Sequence, residues 1–165
     1  MEKVMSVLKL LIRHYVGPGV LAGLIATVPM TVFMLLAQRF LPGHQQYALP
    51  PERITTKIAK RLGFGHKMDK PKRVGASLLA HFGYGANMGA MYVPFTRWLR
   101  LPPVAKGAVF GLIVWAGSYF GLLPALKLPE QAPEQPAQRN LLMIVAHLIW
   151  GTTLGATEDI LERSL

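Results

Sequence analysis

Two histidines stand at the same position of two similar sequence motifs. His81 and His147 each open the pattern H-x-x-x-G-x-x-x-G-A, and 66 residues separate the two copies. Each histidine lies six residues into a stretch that carries no charge. An imidazole there can hydrogen-bond to a neighbouring helix, line a proton or small-solute path, or ligate haem iron. Because ionisable groups inside apolar segments are costly, this pair is the first candidate for a functional site.

The histidine pair leaves three interpretations open. In the first, both rings pack the helices together, and in the second they line a path for protons or small solutes. In the third, two facing helices present the pair to a b-type haem or to a metal ion. The cofactor therefore stays unknown, with haem as one option.

Further polar side chains accompany the histidines. At helical spacing, Tyr92 falls on the face of His81, and Glu158 falls on the face of His147. We predict a polar seam that includes Tyr84, Asn87, Tyr92, Thr27, Thr31 and Glu158. No Ser, His and carboxylate are arranged as in a hydrolase, and the chain has no cysteine. The sequence thus predicts a protein that is not an enzyme and has no dedicated metal ligands.

The charges are confined to part of the chain. Only 16% of the 165 residues are charged, against about 25% in soluble domains. Four stretches hold no charge at all: 17–36, 75–96, 107–126 and 141–157. A membrane-spanning helix needs roughly 20 mainly apolar residues. The sequence predicts an all-α, single integral membrane domain over 1–165, with a bundle of four transmembrane helices.

The four stretches form two similar pairs. Besides the histidine motifs, the segment from Gly19 to Ile25 matches the segment from Gly107 to Ile113, at an offset of 88 residues. Glycines at such spacing let helices in lipid approach closely. We therefore predict that the bundle consists of two repeated helix pairs.

The first loop, 39–73, holds nine of the 18 Lys and Arg residues. Within it, 51–62 is predicted to form an amphipathic helix with Ile54, Ile58 and Leu62 on one face. Its basic side chains are expected to bind anionic lipid headgroups: Arg53, Lys57, Lys60 and Arg61. A solvated basic loop is the alternative. Nucleic acid is not expected as a partner, because no aromatic residues interleave with these cations.

Orientation follows from the same distribution. The side of the bilayer with the first and third loops carries 11 Lys and Arg, and the other side carries seven. The positive-inside rule then places the long first loop in the cytoplasm of a multi-pass protein.

Several motifs together resemble a known family. They begin at Leu49 (Leu-Pro-Pro-x-x-Ile-Thr), at His81 (His-Phe-Gly-Tyr-Gly) and at Asn140, whose motif runs through His147 to Gly155. These motifs are similar to those of the YagU-like group of small bacterial inner-membrane proteins of unknown function. The resemblance implies the bacterial inner membrane and about four helices, and it carries over no functional residues. Small size and glycine-rich faces add the possibility of a homo-oligomer or of an accessory subunit in a larger membrane complex.

Overall fold

The computed structural model describes Met5, 16–46, Ala48, 50–63, 69–127 and 135–164. All regular structure in these ranges is helical, and its main elements are α1 (Gly17–Ala37), α2 (Pro50–Arg61), α3 (Lys70–Thr96), α4 (Pro103–Ala116) and α5 (Ala137–Arg163). A 3₁₀ turn, Gln38–Phe40, extends α1, and a second one covers Gly43–Gln45. After α4 the helix continues through a π-helical segment, Gly117–Leu122, and one last turn, Leu123–Ala125.

Prolines and one aspartate mark where the helices begin. Proline occupies the first turn of α1, α3 and α4, where its missing N–H needs no partner. Asp69 caps α3, and its carboxylate accepts a hydrogen bond from the backbone N–H of Lys72. Pro136 directly precedes α5. The local sequence thus sets the starts of the long helices.

Among the described residues, three helices are long and apolar enough to cross a membrane: Gly17–Phe40, Pro103–Ala125 and Ala137–Arg163. They contain the predicted spans 17–36 and 141–157 and all but the last residue of 107–126, and they are compatible with an integral membrane protein. The remaining predicted span, 75–96, lies within the 27-residue helix α3. Histidine, asparagine, tyrosine and glycine residues lower the mean hydropathy of α3. For this reason α3 is not among the helices that are apolar enough to cross a membrane.

Helix α1 lies between two others. It packs against α3 on one side and against α5 on the other, and α5 in turn packs against α4. Contact between α3 and α4 is sparse, while α2 packs against α3. The long helices therefore surround a space that lies between α3 and α4.

Glycines bring α1 and α3 into backbone contact. A Cβ atom added at Gly19 would overlap the carbonyl group of Gly89, and one added at Gly23 would overlap the carbonyl group of Gly85. Such an approach allows van der Waals contact along the two backbones, which is what holds helices together in lipid.

Glycines also bring α4 and α5 into backbone contact, but the residues that meet differ from those that meet in the α1–α3 pair by one helical turn. Gly107 faces the carbonyl group of Gly151, and Gly155 lies one turn further along α5. In the alignment of the two halves, Gly107 corresponds to Gly19, and Gly155 corresponds to Gly89. The second helix pair therefore crosses one helical turn away from the position that the first pair uses.

Candidate functional site

A cavity of about 410 Å³ occupies the space between α3 and α4. Side chains of α1, α2, α3 and α5 line it together with those of the α4 segment, by which we mean α4 and its continuation, 103–127. Most of the lining is apolar. The polar side chains among the lining residues are Thr27, Thr55, His81, Tyr84, Ser118, Tyr119, His147 and Trp150. No Asp, Glu, Lys or Arg lines the cavity among the described residues. Its interior is therefore uncharged apart from what the histidines carry.

Helix α2 forms one wall of this cavity. Ile54, Thr55 and Ile58 contribute to the lining. On the same helix, the Arg61 Nη2 atom donates a hydrogen bond of 3.0 Å to the carbonyl oxygen of Leu126, which also lines the cavity. Helix α2 thus connects α3 to the end of the α4 segment and bridges the gap between them.

Lys57 makes a second bond to the end of the α4 segment. Its Nζ atom donates to the carbonyl oxygen of Lys127. The last carbonyl groups of a helix lack partners within it, and a cation there also interacts favourably with the helix dipole. Lys57 and Arg61, which we predicted to bind lipid headgroups, thus tether α2 to the neighbouring helix. Lys60 is exposed, and Arg53 is half-buried.

His147 is 8% exposed and lies in the middle of the helix packing. Its Nδ1 atom lies 2.8 Å from the carbonyl oxygen of Met143. A carbonyl oxygen only accepts, so Nδ1 carries the proton and a neutral ring keeps its lone pair on Nε2. The ring of Tyr119 approaches edge-on, with 6.4 Å between ring centroids. These contacts fix the orientation of the imidazole.

His81 lines the same cavity as His147. Its Nε2 atom is buried and has no hydrogen-bond partner in the described part of the chain. A buried polar atom without a partner costs about 1–3 kcal/mol. His81 therefore borders the cavity and also keeps a buried nitrogen without a partner in the described part of the chain.

Two hydrogen bonds join helices around the cavity. The Trp150 Nε1 atom donates to Thr27 Oγ1 over 3.3 Å, and this hydroxyl in turn donates to the carbonyl oxygen of Gly23. Across the gap between α3 and the α4 segment, the hydroxyl oxygens of Tyr84 and Ser118 lie 3.0 Å apart. Thr27 and Tyr84 thus lie beside the two histidines, as members of one site.

The other residues of the predicted seam lie elsewhere. Thr31 donates to a carbonyl group of its own helix, and Asn87 is exposed and does the same. Tyr92 is buried and donates to the carbonyl oxygen of Pro103, at the start of α4. Glu158 is half-buried near the far end of α5. None of these four lines the cavity.

Arg139 enters the sequence prediction only as one of the basic residues of the third loop that were counted to orient the protein. It is 2% exposed, and its Nη1 atom donates a 2.6 Å hydrogen bond to the carbonyl oxygen of Gln45. Its Nε atom donates to the Gln135 side chain over 3.1 Å. Gln45 is also bonded to Gln138 of α5, so this group ties the segment after α1 to the start of α5. No pattern in the sequence indicates its burial.

Within the described ranges, no group of three or more His, Asp or Glu residues lies close enough to hold a metal ion. Haem would require only the two histidines that share the cavity.

Comparison with known proteins gives one match. The chain resembles no curated protein and no solved structure at a significant level. The narrower resemblance to the YagU-like group stays a prediction. A family described as "Protein of unknown function (DUF1440)" matches residues 45–156, more than half of the chain. By this match the chain belongs to the DUF1440 family.

Proposed function

We propose that this chain is a multi-pass protein of the bacterial inner membrane in which α1, α3, α4 and α5 all span the bilayer. Helix α3 runs along α1 in backbone contact, so lipid that surrounds α1 also surrounds α3. Its 27 residues extend about 40 Å, which exceeds the roughly 30 Å of the hydrocarbon core. The two glycine contacts support a bundle built from two repeated helix pairs. The excess of Lys and Arg in the first and third loops supports a cytoplasmic location for the long first loop.

Within this protein, the cavity binds a small, mainly apolar molecule and catalyses no reaction. Its volume of about 410 Å³ and its apolar lining with few polar groups are typical of ligand sites. The observation that carries the proposal is the cavity itself, an apolar space whose lining includes a few hydroxyl, imidazole and indole groups and no Asp, Glu, Lys or Arg among the described residues. A ligand with one hydrogen-bonding group would meet one of these polar side chains while its apolar part fills the cavity. The uncharged lining favours such a ligand over a water-filled path.

Trp150 provides a direct test, because this side chain lines the cavity and is 3% exposed. We suggest replacing Trp98 and Trp115 by Phe, so that Trp150 becomes the only fluorophore of its kind. The protein is then placed in phosphatidylcholine nanodiscs and titrated with a brominated dodecanol, whose bromine quenches tryptophan on contact. We expect saturable quenching at a low proportion of probe to lipid.

Two matched variants distinguish the cavity from the lipid. Val114 lines the cavity and is 8% exposed, whereas Val109 lies on the outer face of the same helix. Val114→Phe should abolish saturable quenching, and Val109→Phe should leave it unchanged. Quenching that rises linearly with probe in both variants would contradict ligand binding in the cavity.

The histidine pair supports a second candidate, a b-type haem site. The bond from His147 Nδ1 to Met143 leaves Nε2 free to ligate, which is how ligating histidines are commonly oriented. In that case the pair would hold the iron, and haem would supply one-electron chemistry. An absorption spectrum of the purified protein tests this directly. A Soret band that disappears in His81→Ala and His147→Ala would support haem, and a colourless preparation from haem-supplemented cells would exclude it.

A further inference from the structure

Helix α2 combines two chemistries at one wall of the cavity. Ile54 and Ile58 face the lining, while Lys57 and Arg61 reach the carbonyl groups at the end of the α4 segment. Lys60 lies between them in sequence and is exposed. One wall of the apolar chamber is therefore a helix that carries three cations within five residues, outside the lining itself.

These cations are not neutralised by carboxylates. The ion pairs Lys72 with Asp69 and Arg163 with Asp159, both in the described part of the chain, do not include Lys57, Lys60 or Arg61. Lys57 and Arg61 donate to neutral carbonyl groups instead. Glu52 is the one acidic residue of α2, at its opposite end. The wall therefore has a positive charge that is available to an anion.

The interior of the cavity, in contrast to the charged side of α2, favours an uncharged group. With no charged side chain besides histidine among the lining residues, a full charge inside the cavity would lose its hydration without a partner. An apolar chain has no such cost and gains free energy from burial in the lining. A molecule that satisfies both regions must have its charge at α2 and its chain inside.

From this combination we infer that the ligand is an anionic amphiphile with a single apolar chain. The chain occupies the cavity between α3 and α4, and the head, a carboxylate or a phosphate monoester, lies against Lys57, Lys60 and Arg61. The inference rests on the proposed function and adds the chemical class of the ligand. Guanidinium and ammonium groups both make charge-assisted hydrogen bonds to such heads.

Probes that differ only in the head test this inference. In the same nanodiscs, Trp150 quenching is compared for brominated dodecanoate, brominated dodecyl phosphate, brominated dodecanol and brominated dodecyltrimethylammonium. We expect half-saturation at a concentration about 100-fold lower for an anionic probe than for dodecanol, because each of the three basic residues contributes roughly a factor of five. The carboxylate and phosphate arms identify which anionic head is preferred.

Variants of α2 identify the residues responsible. Lys57→Gln combined with Arg61→Gln should raise half-saturation for the anionic probes about 20-fold more than it raises half-saturation for dodecanol, because both side chains also hold α2 in place. Lys72→Gln is the matched control, since Lys72 is an exposed cation at the start of α3 and lies outside this wall. It should change neither value. If the double variant weakens dodecanol binding as much as anion binding, the cations only hold α2 in place and the inference is overturned.

The remaining outcomes separate the two proposals. Equal half-saturation for anionic, neutral and cationic probes in the unmodified chain would overturn the anionic head and leave cavity binding intact. Absence of saturable quenching by every probe would overturn both.

Discussion

Arg139 shows how a single side chain can matter without belonging to the cavity. Its guanidinium group is almost completely buried and bonds to the backbone of Gln45 and to the side chain of Gln135. Hydrogen bonds that involve a charged group contribute about 1.5–3 kcal/mol. A buried arginine with these partners fixes the chain that leaves α1 against the start of α5.

We predict that Arg139→Gln lowers the free energy of unfolding by about 2–3 kcal/mol, because Gln45 loses its charged donor. Unfolding in mixed micelles with increasing SDS measures the change. Arg163→Gln serves as the control, since Arg163 is exposed and its pair with Asp159 lies at the surface. That substitution should cost less than about 1 kcal/mol. Equal losses in the two variants would show that burial of Arg139 contributes nothing.

The individual residues of the site were partly predictable. Equal spacing within two charge-free stretches identified His81 and His147, and both line the cavity. Helical spacing alone did not show that Asn87 faces outward, because every residue of a lipid-embedded helix lies in an apolar stretch. It did not reveal Ser118 either, since the position of this side chain depends on how α4 meets α3.

At the scale of elements, close backbone contact distinguishes some glycines from others. Gly107 faces the carbonyl group of Gly151, whereas a Cβ atom at Gly83 would meet open space. A side chain at the first position must push α4 and α5 apart. At the second it only adds a residue with better helix propensity.

We predict that Gly107→Leu destabilises the protein by at least about 1–3 kcal/mol, the usual cost of overpacking. Gly83→Ala should be neutral or stabilise it by up to about 1 kcal/mol. SDS unfolding followed by circular dichroism measures both. Tolerance of Gly107→Leu at full stability would mean that the α4–α5 contact does not hold the helices together.

The elements themselves were well predicted where one local signal sufficed. The amphipathic pattern predicted a helix over 51–62, and α2 covers Pro50–Arg61. Charge-free length predicted four spans, and three of them are confirmed as apolar helices of sufficient length. The pattern could not tell what α2 packs against, because Ile54 and Ile58 would suit a lipid surface as well as a cavity wall.

At the scale of the whole molecule, the path of the chain depends on whether α3 crosses the bilayer. With four spans, the first loop and the third loop share one side, and the N-terminus, the second loop and the C-terminus share the other. With three spans, the first and second loops would lie together. The predicted homo-oligomer or larger membrane complex also belongs to this scale and stays a prediction.

We predict that a reporter inserted after Gly63 is cytoplasmic and that reporters inserted after Leu101 or fused to the C-terminus are periplasmic. Fluorescent protein and alkaline phosphatase fusions at each position measure the two locations. A cytoplasmic signal at both Gly63 and Leu101 would contradict a membrane-spanning α3.

The cavity belongs to this largest scale, which explains why the sequence did not predict it. It forms because α1 and α5 hold α3 and α4 apart, and because α2 bridges the resulting gap. Four helix contacts must be known together before the space becomes apparent. The one-turn shift between the two glycine contacts is likewise a property of packing, because both pairs carry the same motif.

The π-helical segment Gly117–Leu122 has a consequence for how the chain can change in length. A single π turn inside an α-helix accommodates one residue more than the α-helical path between the same two ends. Deleting one residue here would let the segment close as an ordinary α-helix, while Val114 before it and Leu123 after it keep their places. Among the described helices, α4 is therefore continued by a segment that can lose a residue without shifting the packing on either side.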